Sequence, residues 1–295
     1  METKENKVFP QQLSTGFTFV ENRIMLLTGQ AWYKDWFNSP FYHKLYFERD
    51  EKEASAFIHR LIDHLKPTPD SRMIDIACGK GRHSRILADM GFYVTGIDIS
   101  PDSIDYAKQF ENENLEFYQH DMRFPFWINY FDYSFNFFTS FGYFKTRREH
   151  EDAVRTIASS LKPNGIFVID YLNVHYAEDR LVYNEEKIIN GTTYEIHRWH
   201  DEDHFFKKII IRDNQLPQPI EFTEEVAKFS LGDFTDMLSY YGMQVQEVFG
   251  DYQLNPYDVR KTPRLIVVAK KRAVEAGINK KNDEQKRLYG DGNKQ

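Results

Sequence analysis

The first sustained alternation of apolar and polar positions lies at residues 51–65. There Ala54, Phe57, Ile58, Leu61, Ile62 and Leu65 recur at helical spacing. That spacing predicts an amphipathic helix, closed by Pro67 and Pro69, with His59 and His64 on the solvent side. The rhythm then changes. Met73-Ile74-Asp75-Ile76-Ala77 is a short apolar run broken by one acid, the pattern of a strand buried on both faces. Gly79-Lys80-Gly81 follows as a tight turn. Ile86, Leu87 and Met90 return to helical spacing, and Gly91 sits where a helix stops. A second strand, Tyr93–Ile97, ends in Asp98.

The same alternation continues. Ser100-Pro101 opens a helix over 101–110, with Ser100 as its cap. Leu115–Gln119 predicts a third strand and 131–138 a fourth. A helix over 147–161 turns Val154, Ile157 and Leu161 inward. Lys162-Pro163-Asn164-Gly165 is a strong turn signal, with Asn164 tolerating the left-handed conformation. Ile166–Asp170 is the fifth strand, and 170–175 its exit loop.

Residues 181–229 break this rhythm. Asn190-Gly191 between two strand-like runs is a hairpin signal, and 205–211 and 220–229 supply further strands. Ser230 then caps a helix over 231–241, stopped by Gly242. The last strands, 244–249 and 264–270, are joined too closely for a helical crossover, so they form an antiparallel hairpin. The predicted fold is α/β, doubly wound, with a seven-stranded, mostly parallel sheet and an antiparallel last strand. An antiparallel β insertion follows the fifth strand. The predicted organisation is an N-terminal segment 1–50, a main domain of 51–180 and 230–270, the insertion 181–229, and a polar tail 271–295.

Composition narrows the partners. Acidic residues outnumber basic ones by 45 to 38, a net charge of −7. No long basic run precedes the tail, which argues against nucleic acid. No stretch approaches about 20 apolar residues, so no membrane helix is expected. The N-terminal residues lack an apolar signal core. The single cysteine, Cys78, cannot form an internal disulfide, which fits a cytoplasmic protein. It reads as a small buried thiol at a crowded turn.

A glycine turn before a helix, with an acid at the tip of the next strand about 20 residues on, is a nucleotide cradle. The acid favours a free ribose 2′-hydroxyl. The dinucleotide fingerprint needs a third glycine, and Ser84 stands in that place. Instead, Asp75-x-x-x-Gly79-x-Gly81 followed by Asp98 resembles motifs I and II of the class I, Rossmann-like S-adenosylmethionine-dependent methyltransferases. The resemblance covers roughly residues 51–270.

The resemblance implies S-adenosyl-L-methionine as cofactor, held by Asp75, Ala77, Gly79, Gly81 and Arg82, and by Asp98 and Ile99. It implies that Asp121 accepts the adenine amino group, that the Met122 N–H meets a ring nitrogen, and that Thr139 flanks the transferred methyl. It also implies that an N-terminal segment covers the cofactor. Tyr46 and Arg49 there fall on one helical face with Tyr42 and can meet its carboxylate; the alternative is an aromatic helix packed on the core. Phe141, Tyr143, Asn173 and His175 lie on loops at the ligand edge and are candidates for substrate binding. Phe141 reads alternatively as core. His175 is the first candidate for a base, and no catalytic residue is assigned.

The loop Thr139-Ser140-Phe141-Gly142 lacks the Asn/Asp-Pro-Pro-aromatic motif of many nucleic-acid and protein amino-methyltransferases. A small-molecule acceptor is therefore expected. His197, His200 and His204 split between faces of a strand and suggest no metal site. The insertion reads equally as a substrate lid or as a contact in a homo-oligomer. Two rivals share the cradle. A NAD-dependent oxidoreductase predicts a parallel sixth strand. A non-catalytic S-adenosylmethionine-binding protein predicts a pocket closed beyond the sulfonium.

Overall fold

Side chains along a strand alternate between its two faces, and the computed structural model, which describes residues 32–46 and 51–273, places Ile74 and Ile76 of one strand in one core and Met73 in the other. The elements in order are α1 (Trp32–Phe37), α2 (Pro40–Tyr46), α3 (Glu51–Leu65), β1 (Arg72–Ile76), α4 (Arg82–Asp89), β2 (Tyr93–Asp98), α5 (Pro101–Ala107), β3 (Leu115–Gln119) and β4 (Phe131–Asn136). Then come α6 (Arg147–Ser160), β5 (Leu161–Leu172), α7 (Val174–Asp179), β6 (Asn184–Ile189), β7 (Thr192–His200), β8 (His204–Arg212), β9 (Ile220–Ala227), α8 (Leu231–Tyr240), β10 (Met243–Phe249) and β11 (Arg264–Lys271).

Seven strands form one sheet in the order β10-β11-β5-β4-β1-β2-β3. β1 to β5 pair in parallel, and β11 lies antiparallel between β5 and β10. Ile74, Ile76, Phe167, Ile169, Leu265 and Val267 face α6 and α8 on one side. Met73, Phe135, Val168, Ile266 and Val268 face α3, α4 and α5 on the other. Each fully buried Leu, Ile or Phe contributes about 1.5–3 kcal/mol. The two covered faces account for the near-continuous apolar runs of β1 and β5.

Capping follows the local sequence. The Ser100 hydroxyl accepts from the Ser103 N–H at the start of α5. Thr146 and Glu149 form a capping box on α6, and Ser230 and Asp233 one on α8. Two expectations at β5 need correction. Lys162–Gly165 does not separate helix from strand but is a bulge within β5, where the pairing with β4 shifts register; Asn164 takes φ 67° there. The strand also runs on to Leu172, because Leu265 and Arg264 of β11 pair with Tyr171 and Leu172.

β6 to β9 form a separate antiparallel sheet in chain order. Asn190 and Gly191 both have positive φ, as a two-residue hairpin turn requires. One face of this sheet, carrying Tyr194, Ile196, Ile209 and Ile211, packs on Trp36 and Leu45 of α1 and α2. The short N-terminal helices are thus bound to the insertion. Among the described residues, no helix is long and apolar enough to cross a membrane.

Candidate active site

A cavity of about 590 Å³ opens beyond the C-terminal ends of β1 to β4, where open α/β sheets bind ligands. Its floor is the turn after β1. The Cys78 N–H bonds to the Ile97 carbonyl at 3.0 Å, tying the turn to β2. Ala77, Gly79 and Gly81 all have positive φ, 59°, 56° and 77°. At Gly81 a Cβ would stand 2.4 Å from the Phe117 ring, so only glycine lets the turn seat against β3.

Asp98 lies on the cavity wall at the end of β2. Its Oδ2 accepts the Gly79 N–H and its Oδ1 the Ser100 N–H, each at 2.8 Å. Burial raises the Asp98 pKa, and those N–H groups pull it the other way. A carboxylate has about four lone-pair sites, so acceptor capacity remains. Asp121, two residues beyond β3, lines the same cavity. Its carboxylate is oriented by the backbone N–H and guanidinium of Arg123. Arg123 also pairs with Glu149 of α6.

Part of the lining is aromatic. Phe37 meets Tyr42 and Tyr143 edge-on with ring centroids 5.1 and 5.2 Å apart, and Tyr33 stands edge-on to Phe144. Glu224 of β9 also lines the cavity. Its Oε1 accepts from Trp36 Nε1 and from the Tyr46 hydroxyl, both at 2.7 Å, with Lys207 Nζ 3.6 Å from Oε2.

Residues 67–215 match the family described as "Methyltransferase domain". The chain belongs to the class I S-adenosylmethionine-dependent methyltransferases. It is similar to YqeM of Bacillus subtilis (strain 168), named only as a methyltransferase, at 28% identity over 61% of this chain and 76% of that one. It is similar to the glycine N-methyltransferase of Rattus norvegicus at 24% identity over 70% of this chain and 78% of that one. An S-adenosylmethionine-dependent methyltransferase from Clostridium acetobutylicum ATCC 824 shares the fold, with a TM-score of 0.67 at 17% identity, covering 79% of this chain and 97% of that one. The antiparallel β11 agrees with this family and not with a nicotinamide dehydrogenase ending, for which a parallel sixth strand is expected.

The residues present in the methyltransferase cavity fit its cofactor. The volume lies in the range of small-molecule sites. A side chain is absent at Gly79, where the floor would meet a ligand, and Asp98 keeps free acceptor capacity. Of the residues singled out from the sequence, Tyr46, Ala77, Gly79, Arg82, Asp98, Ile99, Asp121, Met122, Thr139 and Tyr143 line this one hollow.

Others do not, and each has a physical reason. Asp75 is 1% exposed and sits behind the turn, where Ser84 Oγ of α4 donates to its Oδ2 at 2.6 Å. Burial pushes its carboxyl up to about 7. It pins the turn to α4 and does not touch the cavity. Gly81 shapes the turn without lining it. Phe141 is core, packed among His150, Phe229 and Phe234. Asn173 is fully buried and donates to the carbonyls of Asp258 and Thr262, bracing the β10–β11 loop. His175 lies on α7 beside Glu178 and does not line the cavity. Asn173 and His175 lie off the cavity because β5 runs on to Leu172 and the chain then turns into α7. Arg49 lies outside the described residues.

Sequence reading missed His43 and Glu224. His43 lines the cavity; burial, with Lys80 nearby, lowers its imidazole to about 4, so it is neutral at pH 7. Its Nε2 is buried with no hydrogen-bond partner among the described residues. Its only signal was adjacency to Tyr42. Glu224 had no local signal, because it is one of three acids on β9, with Glu221 and Glu225.

Proposed function

We propose that this methyltransferase transfers the methyl of S-adenosylmethionine to a small-molecule acceptor by in-line displacement. The observation that carries this reading is that one cavity brings Asp98 and Asp121, at the ends of neighbouring strands, together with aromatic side chains and Glu224. When bound, the cofactor supplies a methyl group already activated by its sulfonium.

In this reading, Asp98 accepts from the ribose hydroxyls and Asp121 from the adenine amino group. The N–H of Met122 meets a ring nitrogen, and Gly79 and Arg82 border the cofactor. Tyr143, Phe37 and Tyr42 exclude water, and their electron-rich faces suit a sulfonium. The task left to the protein is alignment, which supplies about 7–11 kcal/mol when geometry is held. Glu224 on the cavity wall supports a lid role for residues 181–229. The name of the rat relative, with its small amino-acid acceptor, supports the acceptor class.

The test has two arms. S-adenosylhomocysteine should raise the melting temperature and NADH should not. Methyl-labelled S-adenosylmethionine, incubated with a protein-free extract and separately with tRNA and with protein, should label the low-molecular-weight fraction. Label confined to the macromolecules would overturn the small-molecule reading.

A further inference from the structure

Asp170, near the C-terminal end of β5, is fully buried. It holds the loop after β4 with both its side chain and its main chain. Oδ2 accepts the Phe138 N–H at 2.9 Å, and the Asp170 carbonyl accepts the Thr139 N–H at 2.9 Å. Oδ1 takes the Arg264 guanidinium at 2.6 and 2.7 Å, and the Tyr252 hydroxyl donates to Oδ2 at 3.1 Å. Arg264 continues outward, donating from Nη2 to Thr139 Oγ1 at 3.0 Å.

Phe138 and Thr139 both line the cavity and both sit at φ 57°. Consecutive non-glycine residues in the left-handed region persist only where their surroundings over-determine them. Here Asp170 satisfies both N–H groups at once. The Thr139 hydroxyl has one hydrogen and two lone pairs. Arg264 occupies a lone pair, so the hydrogen turns away from the guanidinium, and Thr139 itself lines the cavity.

We propose that Asp170 and Arg264 are positioning residues for the cofactor site: through Phe138 and Thr139 they present the Thr139 hydroxyl as a donor to a polar atom of S-adenosylmethionine. This rests on the cofactor occupying the cavity as described above. It also gives the antiparallel β11 a part in the site, since Arg264 is its first residue.

The test is calorimetric titration of the full chain with S-adenosylhomocysteine, each variant held well below its own melting temperature. Thr139→Val should weaken binding roughly three- to tenfold, the scale of one lost hydrogen bond. Thr139→Ser should stay within about twofold. Arg264→Lys keeps a charge beside Asp170 and loses the fork that reaches Thr139. It should weaken binding as Thr139→Val does, and the double variant should be no weaker than either single one. Asp170→Asn should lose at least as much affinity. Should it fail to fold, the Thr139 and Arg264 variants decide the matter. A merely structural role would lower melting temperatures and leave the dissociation constants alone, and that result would overturn the proposal. So would fully additive losses in the double variant. Wild-type protein that does not bind the probe would instead sink the cavity reading on which this one stands.

Discussion

The Tyr46 hydroxyl donates to Glu224 Oε1 at 2.7 Å, so a helix near the N-terminus and a strand of the insertion share one side of the cavity. The same oxygen receives Trp36 Nε1, and Lys207 stands beside the other. Three donors from two separate parts of the chain thus converge on one carboxylate.

Removing that carboxylate strands its donors. Glu224→Ala should destabilise the protein by about 1–3 kcal/mol, the cost of leaving partly buried donors unsatisfied. Urea denaturation followed by tryptophan fluorescence measures it. A change under about 0.5 kcal/mol would mean that the contact does not hold α1 and α2 to the sheet.

Asp98 joins the glycine turn to the start of α5 and keeps acceptor capacity for a ligand. Asp98→Ala should weaken S-adenosylhomocysteine roughly ten- to a hundredfold, the range for hydrogen bonds to a charged group. Circular dichroism should show the fold retained. An unchanged dissociation constant would remove Asp98 from the ribose role.

Two glycines with similar backbone angles should respond differently to the same change. Gly81 has φ 77°, and a Cβ there would stand 2.4 Å from the Phe117 ring; Gly191 has φ 81° and nothing within 4 Å. Gly191→Ala should cost about 1 kcal/mol for the left-handed conformation alone. Gly81→Ala adds overpacking, typically a further 1–3 kcal/mol. Thermal melts of the two variants would refute this if Gly191→Ala proved the more damaging.

The Asp75 carboxyl is an acid whose folded pKa is raised by burial to about 7 from 3.8. Between those values the native protein keeps a proton that the unfolded chain releases. Stability therefore falls as pH rises through that window, by up to about 4 kcal/mol in all. Asp75→Asn removes this dependence. The melting temperature of the variant minus that of the wild type should grow from pH 5 to pH 8. A constant difference would mean that Asp75 is ionised throughout.

Local sequence determined a good deal of this protein. The βα rhythm, the caps at Ser100 and Ser230, the Asn190-Gly191 turn and the closing hairpin are short-range patterns of polarity and backbone preference. They act within a few residues, so they are legible without contacts. Asp98, read from the end of a parallel strand, and Asp121, singled out by the family resemblance, both line the cavity.

Tertiary structure decided which side of each element faces the hollow. Asp75 and Asp98 read alike as strand acids, yet one is sealed against Ser84 and the other stands on the cavity wall. Phe141 and Tyr143 are two residues apart, yet one is core and the other wall. Glu224 reaches the site only because the insertion folds back over α1 and α2, a contact across 178 positions from Tyr46. Periodicity sets the element and its buried face. The partner that covers that face is chosen by packing between distant segments, which no local pattern encodes.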